Sequence, residues 1–192
     1  MDTAAIRADN RNRRAALSAE QIAAASVDIN AELWHQAFMS RCNRIAAYYA
    51  VDGEVDCSFV IASAWQRGRE IYLPVVRDRE IAFARYCAKT PILRNRFGIP
   101  EPVCAASKLR KPSEMDVVLA PLVAFDACGN RIGMGAGFYD RSFRFLQQRK
   151  AWMHPRLLGL AYEFQKAAQI KASSWDVPLH KVVTENRSYT FR

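Results

Sequence analysis

Apolar residues along this chain fall into two rhythms. In "LSAEQIAAASVDINAELWHQAF", Ser18 carries Gln21 three residues on, and Ile22, Ile29 and Leu33 recur at helical spacing. That predicts an amphipathic helix over 19–39, opened by a capping box. A shorter arginine-rich helix is predicted before it, over about 4–15. The second rhythm is the compact apolar run. "RIAAYYAV" (44–51) ends in "DGEVD" and predicts a buried strand followed by a turn. Ser58 is placed to cap a helix reaching Arg67, with Gly68 where helices commonly stop. "EIYLPVV" and "IAFARYC" predict two further strands, whereas 88–115, with Pro91, Pro100, Pro102 and Pro112, reads as surface loop. "DVVLAPLVAF" (116–125) is the strongest strand signal, apolar along its whole length. Beyond it come a glycine-rich segment, a helix over about 139–150, a strand at "RLLGLAY", a short helix at "EFQKAAQI" and a last strand at "KVVT".

Strands that alternate with helices, and are apolar on both faces, predict an α/β three-layer sandwich. Its central sheet is largely parallel, with helices on both faces. No internal repeat, low-complexity stretch or linker breaks the chain, so residues 1–192 are expected to form a single domain. A chain of this length buries about 70% of the surface its unfolded form exposes and needs no disulfide or metal to hold it. The five cysteines, Cys42, Cys57, Cys87, Cys104 and Cys128, lie far apart with no CxxC pair. Neither a zinc knuckle nor a dithiol redox site is readable, and a reducing compartment is implied. "MDTAAIRADNRNRR" has no apolar stretch behind its charges, and no run is long enough to span a membrane. A cytoplasmic protein is expected.

The net charge of +9 changes the picture, because such a surface attracts anions. Nucleic acid, acidic lipid and a small polyanion such as a nucleotide all remain open. Arg7, Arg11, Arg13 and Arg14 crowd the N-terminus, and Lys108, Arg110 and Lys111 form a second cluster. Neither is interleaved with aromatics as in single-strand binders. Solvated helix faces are the alternative reading of both. The three histidines share no ligand spacing, and no GxxxxGK[ST], HExxH or GxSxG occurs.

What remains is "GNRIGMGAGFYDRSF" (129–143), with Gly133, Gly135 and Gly137 at alternate positions. Glycines free the backbone for positive φ and let a ligand approach it closely. Backbone amides there, flanked by Arg131 and Arg141, suit a phosphate. Asp140 beside such a cradle suits Mg²⁺, which keeps several waters. A glycine-rich hairpin or bulge with a decorative aspartate is the competing reading.

"DVVLAPLVAFDACGNRIGMGAGFYDR" resembles the signature of the 5-formyltetrahydrofolate cyclo-ligases (methenyltetrahydrofolate synthetases). "LSAEQ", "YYAVDGEVD", "RGREIYLPVV", "FGIPEP" and "WDVPLHKVVT" follow in that family's order and spacing. The resemblance implies a fold of the sugar-phosphate isomerase and CoA-transferase kind. It also implies ATP- and Mg²⁺-dependent closure of 5-formyltetrahydrofolate to 5,10-methenyltetrahydrofolate, with release of ADP and phosphate.

Carried over by position, the resemblance makes Arg131, Tyr139 and Asp140 the catalytic residues. The nucleotide would meet Thr3, Arg7, Arg131, Gly133, Met134, Gly135, Ala136, Gly137, Phe138 and Tyr139. The folate would meet Tyr49 and Glu54 together with Met134, Gly135, Ala136, Gly137 and Phe138. Asp140 and Asp176 would be the carboxylates on the Mg²⁺ side. Thr3 stands where many relatives carry a lysine, and Ala136 where they carry glycine or lysine. Since Ala resists positive φ, the loop at 136 is expected to keep negative φ. The implied partners are ATP and a reduced folate, polyglutamylated forms included, bound by a monomer with no nucleic acid and no membrane. The rival reading is a basic nucleic-acid-binding α/β domain without catalysis, with steeply salt-dependent affinity. A folate binder that has lost catalysis, and a sugar-phosphate isomerase with no need of ATP, are further alternatives.

Overall fold

The structure is a computed structural model and describes residues 2–148 and 154–191. Helix α1 (Thr3–Ala15) leads into α2 (Ala19–His35), whose Ser18 side chain accepts from the Gln21 amide while Gln21 caps the Ser18 amide in return. A 3₁₀ turn, Ala37–Arg41, occupies the last residues expected to continue α2. Strand β1 (Arg44–Ala46), helix α3 (Ser58–Gln66) and strand β2 (Glu70–Arg77) form a βαβ unit in which β1 and β2 run parallel. Strand β3 (Glu80–Tyr86) folds back antiparallel on β2.

A small antiparallel pair follows, β4 (Ile92–Arg94) with β5 (Pro100–Pro102). Then come β6 (Val117–Ala120) and the short pair β7 (Ala124–Phe125) and β8 (Arg131–Ile132). Two short helices, α4 (Phe138–Phe143) and α5 (Phe145–Gln148), precede β9 (Arg156–Leu160), β10 (Lys181–Val183) and β11 (Ser188–Thr190). The main sheet has the order β11-β10-β9-β6-β1-β2-β3. Its five inner strands are parallel, and each edge strand is antiparallel.

Successive residues of a strand face opposite sides, so each central strand feeds two cores. Ile45, Ile71, Leu73, Val117, Leu119, Leu158 and Leu160 pack under α2 and α3 against Ile29, Leu33, Val60 and Ala64. Ala46, Tyr72, Val118, Ala120, Leu157 and Val182 face the other way, toward Phe83, Phe125 and Phe143. Each fully buried aliphatic or aromatic side chain here contributes about 1.5–3 kcal/mol by leaving water. This is the mostly parallel α/β sheet the alternation of elements implied.

Several boundaries differ from the pattern-based expectation, each for a readable reason. β1 stops at Ala46; the Ala47 amide still donates to the Tyr72 carbonyl at 2.9 Å, and the chain then turns toward a cavity, with the Tyr48 hydroxyl donating to the Val55 carbonyl at 3.1 Å. Ser58 does not cap α3; Cys57 holds that position, and the Asp56 carboxylate accepts from the Ser58 amide at 2.8 Å. "DVVLAPLVAF" is broken at Pro121, which has no amide for a ladder, and its second half pairs with β8 instead. The span 88–115 contains the β4–β5 pair as well as loop. "EFQKAAQI" is helical only over Glu163–Gln165, and β11 had no strong apolar signal, since an edge strand needs only one dry face. The expected helix 139–150 is divided near Arg144, and its last two residues lie outside the described residues.

Candidate active site

Pro121 and Leu122 follow β6, and Tyr48 and Tyr49 follow β1; all four line a cavity of about 730 Å³ beyond the carboxyl ends of these strands. That is where open parallel sheets commonly hold ligands. Every residue that the sequence nominated lines it: Thr3, Arg7, Tyr49, Glu54, Arg131, Asp176 and the whole of 133–140.

The glycine segment forms one wall. Gly135 has φ 98° and Gly137 has φ 66°, backbone conformations that a side chain resists. Ala136 is outside the positive-φ region, as its methyl requires. Arg7 reaches in from α1 and donates Nε to the Gly133 carbonyl at 3.0 Å. Arg141 fastens the other end, donating Nη2 to the Ala136 carbonyl at 2.7 Å and Nε to the Arg79 carbonyl at 2.7 Å. α4 has only six residues, so its dipole is weak and the positive charge at this wall comes chiefly from the arginines.

Asp140 on α4 is tied to Arg131 on β8 by an Nη2–Oδ1 contact of 2.6 Å. The same Oδ1 accepts from the Val177 amide at 3.2 Å, and Arg131 also donates to the Val177 carbonyl. Val177 thereby brings its neighbour Asp176 to the same cavity, where the Asp176 Oδ2 accepts from the Ser173 amide at 2.8 Å. Tyr139 is turned inward: its ring stacks on Phe143 at 5.9 Å, and its hydroxyl has no partner among the described residues. Burial holds its phenol far above the usual range.

A second wall is the turn after β1. Asp52 and Gly53 both take positive φ, at 49° and 70°. The Glu54 carboxylate accepts from the Val51 amide at 3.2 Å, closing the turn. Glu54 is only 6% exposed, and burial pushes its carboxyl up to about 7, against the opposing pull of the Val51 amide and Arg14. Tyr49 stands at the rim, 40% exposed.

Sequence reasoning missed a third wall. Asn95 and Phe97 from the loop joining β4 to β5, and Glu101 on β5, line the cavity, as do Lys171 and Trp175. Glu101 accepts from the Val76 amide at 2.9 Å and from Asn95 Nδ2 at 2.6 Å, and Phe97 meets Phe138 edge to face at 5.7 Å. The cue available was "RNRFGIPEP", a stretch with buried-type Phe and Ile between prolines. Cys42 and Cys57 are buried, whereas Cys87, Cys104 and Cys128 are exposed rather than part of the core. His180 Nδ1 accepts from the Leu157 amide at 3.0 Å, and no cysteine is paired or lines the cavity.

Among the described residues, no three of His, Cys, Asp and Glu gather as a ready-made metal cage. Two carboxylates at one cavity nevertheless suit Mg²⁺, which takes much of its shell from water and substrate phosphate. No helix among the described residues is long and apolar enough to cross a membrane.

The 5-formyltetrahydrofolate cyclo-ligase family profile matches residues 1–185. A 5-formyltetrahydrofolate cyclo-ligase of Haemophilus influenzae is 35% identical over 181 residues, covering 93% of this chain and 95% of that one. Its Escherichia coli K12 namesake is 32% identical, covering 92% and 97%. The solved structure of Aquifex aeolicus 5,10-methenyltetrahydrofolate synthetase superposes with a TM-score of 0.83 at 29% identity, over 100% of this chain and 94% of that one. With its signature segment walling a cavity at the carboxyl edge of the sheet, the chain belongs to the 5-formyltetrahydrofolate cyclo-ligase family of ligases.

Proposed function

We propose that this chain converts 5-formyltetrahydrofolate to 5,10-methenyltetrahydrofolate, using ATP and Mg²⁺ and releasing ADP and phosphate. One observation carries the reading: a single cavity sets a cationic glycine wall and two carboxylates against a dry wall bearing Glu54. Thr3, Arg7, Arg131 and the backbone of 133–139 hold the triphosphate. Asp140 and Asp176 hold Mg²⁺, which offsets charge on the transferring phosphoryl group. Glu54 accepts from the N–H donors of the pterin edge, and Tyr49 flanks the ring.

A formamide oxygen is a poor leaving group. In the bound pair that oxygen attacks the terminal phosphorus and ADP departs. The neighbouring folate nitrogen then attacks the activated carbon, losing its proton, and the former formyl oxygen leaves within phosphate. Phosphoryl transfer of this kind asks mainly for positioning and charge neutralisation. The residues at the cavity match that demand, and the chemistry calls for no cysteine or histidine nucleophile.

The rival reading of a nucleic-acid surface is disfavoured by where the N-terminal arginines go. Arg7 and Arg14 turn inward, and Arg11 and Arg13 sit by Asp52 and Asp9 at 3.6 and 4.0 Å. The test is to titrate purified protein with ATP, Mg²⁺ and 5-formyltetrahydrofolate while following near-ultraviolet absorbance. A methenyl chromophore that requires all three supports the proposal. Steady ATP loss without folate, or no chromophore, overturns it.

A further inference from the structure

Arg14 is among the largest fully buried side chains of the described residues, 1% exposed at the last turn of α1. A full positive charge at such depth needs a reason, because removing it from water is costly unless it is paired. Its Nη1 faces two acceptors: the Glu54 Oε1 at 3.7 Å and the Leu122 carbonyl at 3.5 Å. Its Nε and Nη2 have no hydrogen-bond partner among the described residues. The guanidinium is thus not saturated by local structure and stands between two cavity-lining residues, one after β1 and one after β6. The backbone is held equally closely. A Cβ built on Gly53 would come 2.9 Å from the Arg14 carbonyl oxygen, so the turn carrying Glu54 is seated on this residue.

We propose that Arg14 is a positioning residue for the folate half of the site, holding the Glu54 carboxylate in place. This rests on the proposed folate reading of the cavity. The same helix carries Arg7 seven residues earlier, which grips the Gly133 carbonyl on the nucleotide wall. α1 therefore spans both walls with one arginine on each. The other groups that bear electrostatically on Glu54 or lie beside it are Asp52, Tyr48, Cys57, Tyr139 and Tyr162. None of these is a cation. Among the residues that shift Glu54, Arg14 is the only side chain that favours its charged form, since Asp52 and burial both oppose it.

The test compares wild type, Arg14→Met, Arg14→Lys, Glu54→Gln and the Arg14→Met/Glu54→Gln double variant, with KM for each substrate and kcat/KM for folate against pH. In Arg14→Met, folate KM is expected to rise about tenfold, and the acidic limb of the profile to move up by about one pH unit. KM for ATP should stay within about twofold. Arg14→Lys keeps the charge and should return the limb toward its wild-type position. In the Glu54→Gln background, Arg14→Met should add no further loss in folate KM, because the carboxylate it serves is gone. If Arg14→Met does not fold, the double variant, which leaves no unpaired buried charge, decides the matter. An unmoved limb, a parallel rise in ATP KM, or an extra loss in the double variant overturns the assignment. A wild type that makes no methenyl product would instead remove the folate reading itself.

Discussion

Arg131 and Asp140 meet at 2.6 Å with the carboxylate side chain 26% exposed, whereas Arg14 and Glu54 stand 3.7 Å apart with 1% and 5% exposed. Both pairs border one cavity, in different segments of its wall. The tight pair keeps one face toward water, as the proposed cation and phosphate site requires. The looser pair lies in dry surroundings, where a charge is expensive and its ionisation is therefore adjustable. Distance alone would rank the first pair as the more strongly coupled. Burial reverses what matters chemically, since a buried carboxylate responds to each neighbouring charge far more than a wetted one.

The contrast breaks most visibly at Asp140. Asp140→Asn keeps the shape and still offers an oxygen to the Val177 amide. Turnover should nevertheless fall at least about 100-fold through lost charge, as when one electrostatic stabiliser is removed from an active site. The far-ultraviolet dichroism should be unchanged. Full activity in that variant refutes the role of Asp140 beside the phosphates.

Glu54 sharpens the other half of the comparison. Its carboxyl is raised from 4.5 to about 7, chiefly by burial. Protonation therefore favours the folded form. The stability it contributes is fully present below about 4.5 and is lost as pH rises through about 7. Folate affinity should run the opposite way, improving across the same window as the accepting carboxylate forms. Glu54→Gln should raise folate KM about tenfold, the worth of one charge-assisted hydrogen bond, and flatten both pH dependences. A thermal-melt series and a KM series over pH 5–8 check the two signs separately.

A smaller effect is expected at Gly137, whose φ of 66° strains any side chain. A Cβ there would also meet Arg141 Nη1 at 2.7 Å, although that guanidinium has room to shift. Gly137→Ala should cost about 1–2 kcal/mol of stability. KM for ATP should rise only severalfold. Denaturant unfolding with and without nucleotide separates the two, and a variant as stable as the parent would show that the loop relaxes freely.

The two walls also differ in how far they could be read from the chain. Arg131, the three glycines, Tyr139 and Asp140 lie within ten consecutive residues, so their spacing states their proximity. Glu54 and Tyr49 were identifiable only through the family resemblance, and Arg14 not at all. α1 buries Ile6, Asn10 and Arg14 at four-residue spacing, and because two of these three are polar, an apolar pattern does not single out Arg14 from its neighbours. Asn95 and Glu101 escaped for a related reason. Their stretch is rich in proline and short in periodic pattern, and it acquires its place only by packing along β2.

By itself the sequence determined the alternation of helices and apolar strands and the backbone freedom of 133–137. It also determined the capping box that starts α2. These are short-range properties, set by rotamers, φ preferences and period over a few residues. Tertiary structure alone decided which charges went dry, which carboxylate met which arginine, and that Asp176 would reach the cavity that Asp140 lines. It also decided that a hairpin of modest pattern would line the cavity. Such outcomes depend on solvent exclusion by segments distant in the chain. A residue's desolvation is the sum of everything packed around it, and no local window contains that sum.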